Sequence, residues 1–185
     1  QGHYGNWQRK YNLKPGYNKF EVPKIYDEKW SHKTNPGGAI YFINPYTTEQ
    51  QGKAPKIVLE GGQKFPLYNQ GDDEQAFLKE LKDYSDYVKS NPDTAVDIFE
   101  YNSPRILFTG RASDANQVYN VEKVNVAEST LAWSKVVDDM LKFAGLEENS
   151  KDPKHDSTGI RTTVRVMQPF GGAYAAGDHV GIQYH

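Results

Sequence analysis

The clearest alternation of apolar and polar residues lies between Ile160 and Met167, and it predicts a β-strand. Its side chains fall on two opposite faces, with Ile160, Thr162, Val164 and Val166 on one and Arg161, Thr163, Arg165 and Met167 on the other. A period of two is the pattern of a strand that buries one face. Pro169 ends the pattern, because proline has no backbone N–H to donate. We expect the rest of the chain to pack around this strand.

A second kind of strand is predicted at Ala39 to Ile43, where the residues are almost continuously apolar. Such a run, bounded by Gly38 and by Asn44-Pro45, is typical of a strand buried on both faces and is expected at the centre of a sheet. Three shorter strands are predicted at Lys56 to Leu59, Ala95 to Glu100 and Arg105 to Thr109, and a hairpin at Tyr4 to Val22.

Two amphipathic helices are predicted between these strands. The first begins near Asp72, whose carboxylate can cap free amide groups, and stops at Asn91-Pro92. The second runs from about Ser129 to Ala144, with Gly145 just beyond its end and the following leucine packing back. Their apolar stripes are Phe77, Leu78, Leu81, Tyr84 and Val88 in the first helix, and Leu131, Val136, Val137, Met140, Leu141 and Ala144 in the second.

This order of elements predicts an α+β fold with a mixed β-sheet, two main amphipathic helices and a strand-rich N-terminal part, because strands and helices do not alternate regularly. The sequence divides into residues 1–38, a hairpin and loop region that resembles the end of a β-sandwich subdomain, and residues 39–185, an α+β lobe.

Composition excludes several classes of function. The chain of 185 residues carries 22 Lys and Arg against 24 Asp and Glu, which gives no electrostatic reason to expect nucleic acid or an anionic membrane surface. It has no run of 18 apolar residues, so no membrane insertion is expected. It has no cysteine, which removes disulfides, thiolate metal ligands and a cysteine nucleophile. No glycine-rich loop has the spacing of a phosphate-binding motif.

The candidate reactive residues form no complete catalytic set. The five histidines include no pair four residues apart, and they are His3, His32, His155, His179 and His185. No helix face therefore offers two metal ligands, and no metal is expected within this chain. Asp138 and Asp139 are adjacent, so they point about 100° apart on a helix and are interpreted as a solvated face. Ser129 and Thr130 are interpreted as helix-start residues.

The segment that follows the predicted strand at Ile160 to Met167 is rich in small residues. It consists of Gly171, Gly172, Ala173, Tyr174, Ala175 and Ala176, followed by a turn that contains His179. Glycine and alanine leave the main chain accessible, so another chain could approach it closely. The alternative is that a helix or strand of the same protein packs tightly over these small side chains, and the sequence does not decide between the two.

Several segments together resemble one protein family. RVMQPFGGAYAAGDHVGI is similar to the segment that precedes the zinc motif of enhancin-like metallopeptidases, which are secreted or surface enzymes that attack mucins and other host glycoproteins. The other segments follow in the same order as in that family: LKPGYNKFEV, GGAIYFIN, PKIVLEGG, FPLYNQGDDEQAFLKELKDY and TLAWSKVVDDMLKFAGL. The resemblance covers most of the chain from about Leu13.

The resemblance implies the front lobe of a secreted or cell-surface zinc metallopeptidase that acts on protein or glycoprotein substrates. The family carries His-Glu-x-x-His and a further Glu, and the resemblance implies that this sequence ends before these residues. Zinc is therefore expected in the complete enzyme, and these 185 residues alone are expected to bind no zinc and to be inactive. The segment from Gly171 to Ala176, with His179, is expected to form a strand edge along which substrate lies extended.

Two other functions stay open. The first is a non-catalytic module that binds a glycan or glycoprotein, which would need aromatic residues such as Trp7, Trp30, Tyr41 and Tyr174 on one surface. The second is a structural or adhesive domain with no small-molecule site.

Overall fold

A computed structural model of the chain describes residues 10–20, 39–43, 55–167, 174–176 and 179–183. The predictions for Trp7, Trp30, His3, His32, His185 and the segment 171–173 lie outside these residues. The described elements form an α+β fold with a mixed sheet, as the sequence predicts.

The sheet contains six strands. In chain order they are β1 (Leu67–Asn69), β2 (Phe99–Asn102), β3 (Ile106–Gly110), β4 (Thr162–Met167), β5 (Tyr174–Ala176) and β6 (His179–Gln183). Their spatial order is β1-β2-β3-β4-β6-β5. The pairs β1–β2, β3–β4 and β4–β6 are parallel, whereas β2–β3 and β5–β6 are antiparallel. The strand predicted at 160–167 is confirmed, and it occupies the middle of the sheet.

The prediction of a central strand at Ala39 to Ile43 is wrong. These residues have no strand structure, and Ile43 is 78% exposed. The segment Lys56 to Leu59 is likewise exposed and irregular. Residues 10–20 form a turn closed by the side chain of Asn18, which donates to the carbonyl oxygens of Lys14 and Gly16. No strand lies among the described residues before Leu67, so the described part of the N-terminal region is not strand-rich.

Three helices pack on one face of the sheet: α1 (Glu74–Ser90), α2 (Ala112–Asn116), which continues as a π-helical turn at Gln117–Val121, and α3 (Val126–Phe143). The core between them consists of Tyr68, Phe99, Tyr101, Ile106 and Val164 from the strands and Phe77, Leu81, Tyr84, Ala112, Ala115, Tyr119 and Val126 from the helical segments. The rings of Tyr101 and Phe108 stack with centroids 4.6 Å apart. Burial of these rings removes apolar surface from water and so stabilises this side of the sheet.

The ends of α1 and α3 follow local chemistry. The carboxylate of Asp73 accepts hydrogen bonds from the backbone N–H groups of Gln75 and Ala76, so α1 is capped one residue after the position predicted. Glu74 in the first turn of α1 also accepts the backbone N–H of Val126, at 2.8 Å, and so joins the starts of the two helices.

Helix α3 begins three residues earlier than predicted, because the side chain of Asn125 caps it by accepting the N–H of Glu128. Ser129 and Thr130 therefore lie inside the helix, where each hydroxyl donates to the carbonyl four residues before it. At the other end, Gly145 has φ +76° and Leu146 donates its N–H to the Leu141 carbonyl, as in a Schellman motif.

The loop between α3 and β4 contains a carboxylate with a lowered pKa. Asp156 Oδ1 accepts the hydroxyl of Thr158 at 2.6 Å and the backbone N–H of the same residue at 2.9 Å. These hydrogen bonds, the hydroxyl first, favour the charged form and hold the pKa of Asp156 below its ordinary value.

Replacing Thr158 with valine should raise the pKa of Asp156 toward the ordinary aspartate value of about 3.9. Because the folded pKa is the lower one, the carboxylate stabilises the fold above the unfolded pKa and loses that effect as the pH falls through the folded pKa. An NMR titration of the carboxyl resonances measures this change. Asp139, whose pKa is lowered mainly by Lys135, is the internal control; equal titration of Asp156 in both proteins would contradict the assignment.

Candidate functional site

The outer strand β5 is the first part of the candidate site. It pairs with β6 only, in the register Tyr174 with Gly181, Ala175 with Val180 and Ala176 with His179. No other described strand pairs with its far side, so the backbone of residues 174–176 forms one edge of the described sheet. Ala175 is exposed. An exposed edge offers unpaired backbone N–H and C=O groups to another extended chain.

The predicted site residues fall on this edge as far as they are described. Tyr174, Ala175 and Ala176 form β5, and His179 begins β6 beside them. Gly171, Gly172 and Ala173 lie outside the described residues. The use of this edge for substrate stays a prediction. The alternative of tight packing over Ala175 receives no support from the described residues, since its side chain is open to solvent.

A row of polar residues crosses the sheet on the face opposite the core. Glu100 of β2 pairs with Thr109 of β3, Thr109 pairs with Arg165 of β4, and Arg165 pairs with Gly181 of β6. Residues paired directly across a sheet project from the same face. The row therefore leads from an acidic group on β2 toward the outer edge, where Gly181 is in register with Tyr174.

Glu100 is the one acid of this row, and only 3% of its surface is exposed. One oxygen, Oε1, accepts the hydroxyl of Thr109 at 2.9 Å and also the phenol hydroxyl of Tyr41. Burial and the acceptor Glu100 raise the pKa of Tyr41, and the nearby Arg165 opposes the change. The phenol thus stays protonated and donates its hydrogen bond to Glu100.

Sequence reasoning missed this group. Tyr41 belongs to the segment predicted as the central strand, but its role is to bring a hydroxyl to the polar face of the sheet. The only signal is the polar residue Glu100 inside the otherwise apolar run Ile98–Tyr101, which marks a buried acid that needs donors.

The other candidate reactive residues have structural contacts. Asp138 accepts Nε of Arg105 at 2.7 Å, whereas Asp139 pairs with Lys135 at 2.8 Å, so the two carboxylates do not act together. His155 Nδ1 lies 2.9 Å from the carbonyl oxygen of Gly145. Within the described ranges, no three His, Cys, Asp or Glu side chains are grouped so that they could hold a metal ion. The described residues therefore do not fit a zinc site.

Comparison with solved structures defines the class of the fold, which is that of metallopeptidase catalytic domains. The chain matches the M60 catalytic domain of Clostridium perfringens ZmpB, solved with its CBM51-1 and CBM51-2 domains, with 26% identity and a TM-score of 0.77 over 94% of this chain and 18% of that one. It matches the catalytic module of the metalloprotease ZmpA from the same organism with 26% identity and a TM-score of 0.65 over 76% of this chain and 28% of that one.

These matches support the resemblance to the enhancin-like M60 metallopeptidases. The M60 catalytic domain of Clostridium perfringens ZmpC, solved in complex with the sialyl T antigen, has the same fold, with 24% identity and a TM-score of 0.60 over 67% of this chain. The chain spans 25% of the length of that domain. No protein-family model and no curated protein sequence matches the chain. None of the described helices has the length and apolar character needed to cross a membrane.

Proposed function

We propose that this chain is the front lobe of a zinc metallopeptidase that cleaves glycoproteins such as mucins outside the cell or at its surface. The observation that carries the proposal is the structural match to the ZmpB catalytic domain over 94% of the chain. The sialyl T antigen bound by the ZmpC domain, which is a glycan, supports a substrate that carries sugars.

In this proposal the described residues position substrate and the metal is held elsewhere. The edge of β5 pairs with an extended peptide through main-chain groups, and such pairing suits varied sequences because it does not depend on side chains. The zinc ligands belong to other residues of the complete protein, since the described ones form no ligand group.

The test uses the complete protein that the gene encodes, side by side with the 185-residue chain. After dialysis, elemental analysis should find one zinc per complete protein, and mucin digestion should stop with a chelator and resume when zinc is restored. The 185-residue chain should show neither property. If the complete protein has no tightly bound zinc and cleaves nothing, the proposal is wrong, and glycan binding by that protein would favour the binding-module function.

Replacing Ala175 with leucine should reduce turnover by the complete protein while leaving its stability unchanged. A bulky side chain on the outer strand obstructs an incoming peptide, and a tenfold loss corresponds to about 1.4 kcal/mol of transition-state stabilisation. The measurement is kcat/KM on a glycoprotein or peptide substrate, together with the melting temperature.

The matched control is Ala76→Leu, since Ala76 is also exposed but lies in the first turn of α1. It should leave both quantities unchanged. Normal activity of A175L would show that β5 does not contact substrate. A lower melting temperature with normal activity would instead favour tight packing over Ala175 in the complete protein.

A further inference from the structure

Helix α3 exposes a second apolar face, directed away from the core. Four large side chains on it are exposed to solvent: Trp133 42%, Val136 50%, Met140 66% and Phe143 96%. They recur at intervals of three, four and three residues, so at 100° per residue they lie within an arc of about 80°. The small residues Ser129 and Ala132 continue the same side of the helix. We call Trp133, Val136, Met140 and Phe143 the outer stripe of α3.

The rotation of α3 that exposes the outer stripe is fixed by polar contacts on its inner side. The hydroxyl of Ser134 donates to that of Ser103 at 2.7 Å, and Asp138 accepts Nε of the buried Arg105. Val126 and Thr130 on the same side are fully buried. Turning the helix to bury the outer stripe would break these contacts and leave buried polar groups unpaired, which costs about 1–3 kcal/mol for each group.

The spacing of the outer stripe indicates the shape of its partner. Alternating steps of three and four residues form the a and d positions of a heptad, and this pattern packs against another helix whose apolar residues fill the same spaces. The outer stripe itself contains no charged residue, and Lys135 and Asp139 pair with each other beside it. An amphipathic helix that contributes an apolar face fits such a surface.

The size of the outer stripe favours a partner in the same polypeptide. An aromatic side chain buries about 150–250 Å², and Trp133 is already more than half covered. The remaining exposed area of the outer stripe therefore falls short of the roughly 800 Å² per partner typical of stable interfaces between separate proteins. A helix of the same polypeptide avoids most of the loss of translational and rotational freedom on binding. The catalytic domains that this chain resembles contain much more polypeptide, since the chain spans only 25% to 28% of their length.

We propose that the outer stripe of α3 is the surface on which an amphipathic helix from the remainder of the catalytic domain docks. This inference rests on the proposed function, because that function places the chain within a larger domain. Docking there joins this lobe, which carries the β5 edge, to the rest of the domain. The connection runs through α3, whose inner side contacts the sheet.

Thiol reactivity tests the proposal in the complete protein. This chain contains no cysteine, so single cysteines can be introduced by Val136→Cys and Leu131→Cys after any cysteine elsewhere in the protein is replaced by serine. Val136 and Leu131 are both 50% exposed and lie on the same helix, but Leu131 lies about 160° from the centre of the outer stripe. We expect the V136C thiol to react with a maleimide at least tenfold more slowly than the L131C thiol, at every protein concentration. M140C serves as a second reporter and should behave as V136C does.

Two results would overturn the proposal. Equally rapid reaction of V136C, M140C and L131C would mean that nothing covers the outer stripe. Protection that disappears on dilution would mean that a second copy of the protein covers it. Zinc content and mucin digestion are measured separately from thiol reactivity. Protection of V136C in a protein without zinc would contradict the proposed peptidase function but support the docking surface. Equally rapid thiol reactions in an active zinc enzyme would support the peptidase function and contradict the docking surface.

Discussion

Replacing Ile106 with aspartate is expected to prevent the chain from folding. Ile106 is 1% exposed and starts β3, an interior strand that pairs with β2 and β4. The change places an unpaired charge among Tyr101, Val164 and the other core side chains. The loss is several kcal/mol, a large part of the roughly 5–15 kcal/mol that stabilises an ordinary domain. Circular dichroism and the yield of soluble protein measure the outcome.

Two matched variants make this result specific. Ile106→Val keeps the site apolar and should cost only about 0.5–1.5 kcal/mol. Phe42→Asp should leave the fold intact, because Phe42 is 42% exposed and lies outside the sheet. The sequence alone predicts instead that F42D prevents folding, because Phe42 belongs to the apolar run expected to form a buried strand. A soluble I106D protein with an unchanged melting temperature would show that β3 is not part of the core.

Replacing Arg105 with lysine is expected to lower the free energy of unfolding by about 2–4 kcal/mol, although the charge is kept. The Arg105 guanidinium donates Nη1 to the carbonyl oxygens of Ser157 and Ile160 at 3.0 and 3.3 Å. Its Nε and Nη2 contact Asp138 and Glu148 at 2.7 and 3.3 Å. A single lysine ammonium group cannot donate to acceptors on α3, in the following loop and just before β4 at the same time. Some of these acceptors would therefore lose their donor. Urea unfolding monitored by fluorescence gives the change.

Arg161→Lys is the control for this prediction. Arg161 is exposed, and its Nη2 donates only a long hydrogen bond, 3.5 Å, to the Ile106 carbonyl oxygen. An exposed substitution of this kind should change stability by no more than about 0.5 kcal/mol. If R105K and R161K cost the same, the guanidinium network around Arg105 is not a significant source of stability.

The two main helices could be predicted from sequence because their ends are determined by local chemistry. A capping carboxylate at the start of α1 and a glycine with positive φ after α3 act within one turn of the backbone, and both signals are visible as residue types. The start of α3 was missed because asparagine is also a cap, and Asn125 precedes the serine and threonine that suggested the later start.

The inner side of α3 could not be predicted from the apolar stripe. The sequence shows two apolar sides on this helix, and the hydrophobic rule favours the one with the larger residues, including Val136 and Met140. The core instead receives Thr130 and Ser134, whose hydroxyl groups are hydrogen-bonded to Val126 and Ser103. Small polar residues are acceptable in a core when each has a hydrogen-bond partner. The partner of Ser134 is Ser103, between β2 and β3, which is far away in sequence.

The prediction of a central strand was wrong for a related reason. An apolar run such as Ala39 to Ile43 indicates that a segment suits a pleated, enclosed surface, but strand structure also requires a neighbouring strand in register. The sheet places β4 beside β3, so no position between them is left for this segment. Of the candidate site, the backbone edge could be predicted from small residues, whereas the row from Glu100 to Arg165 depends on pairings between distant strands.

The parallel pairing of β3 with β4 has a consequence during synthesis on the ribosome. Chain growth delivers β3 first, and β4 follows only after α2, α3 and the loop, about 50 residues later, or roughly 3–10 s at ordinary elongation rates. For that time the side of β3 that will face β4 is an open template for other nascent or misfolded chains. We expect this interval to make the protein depend on chaperones when it is expressed.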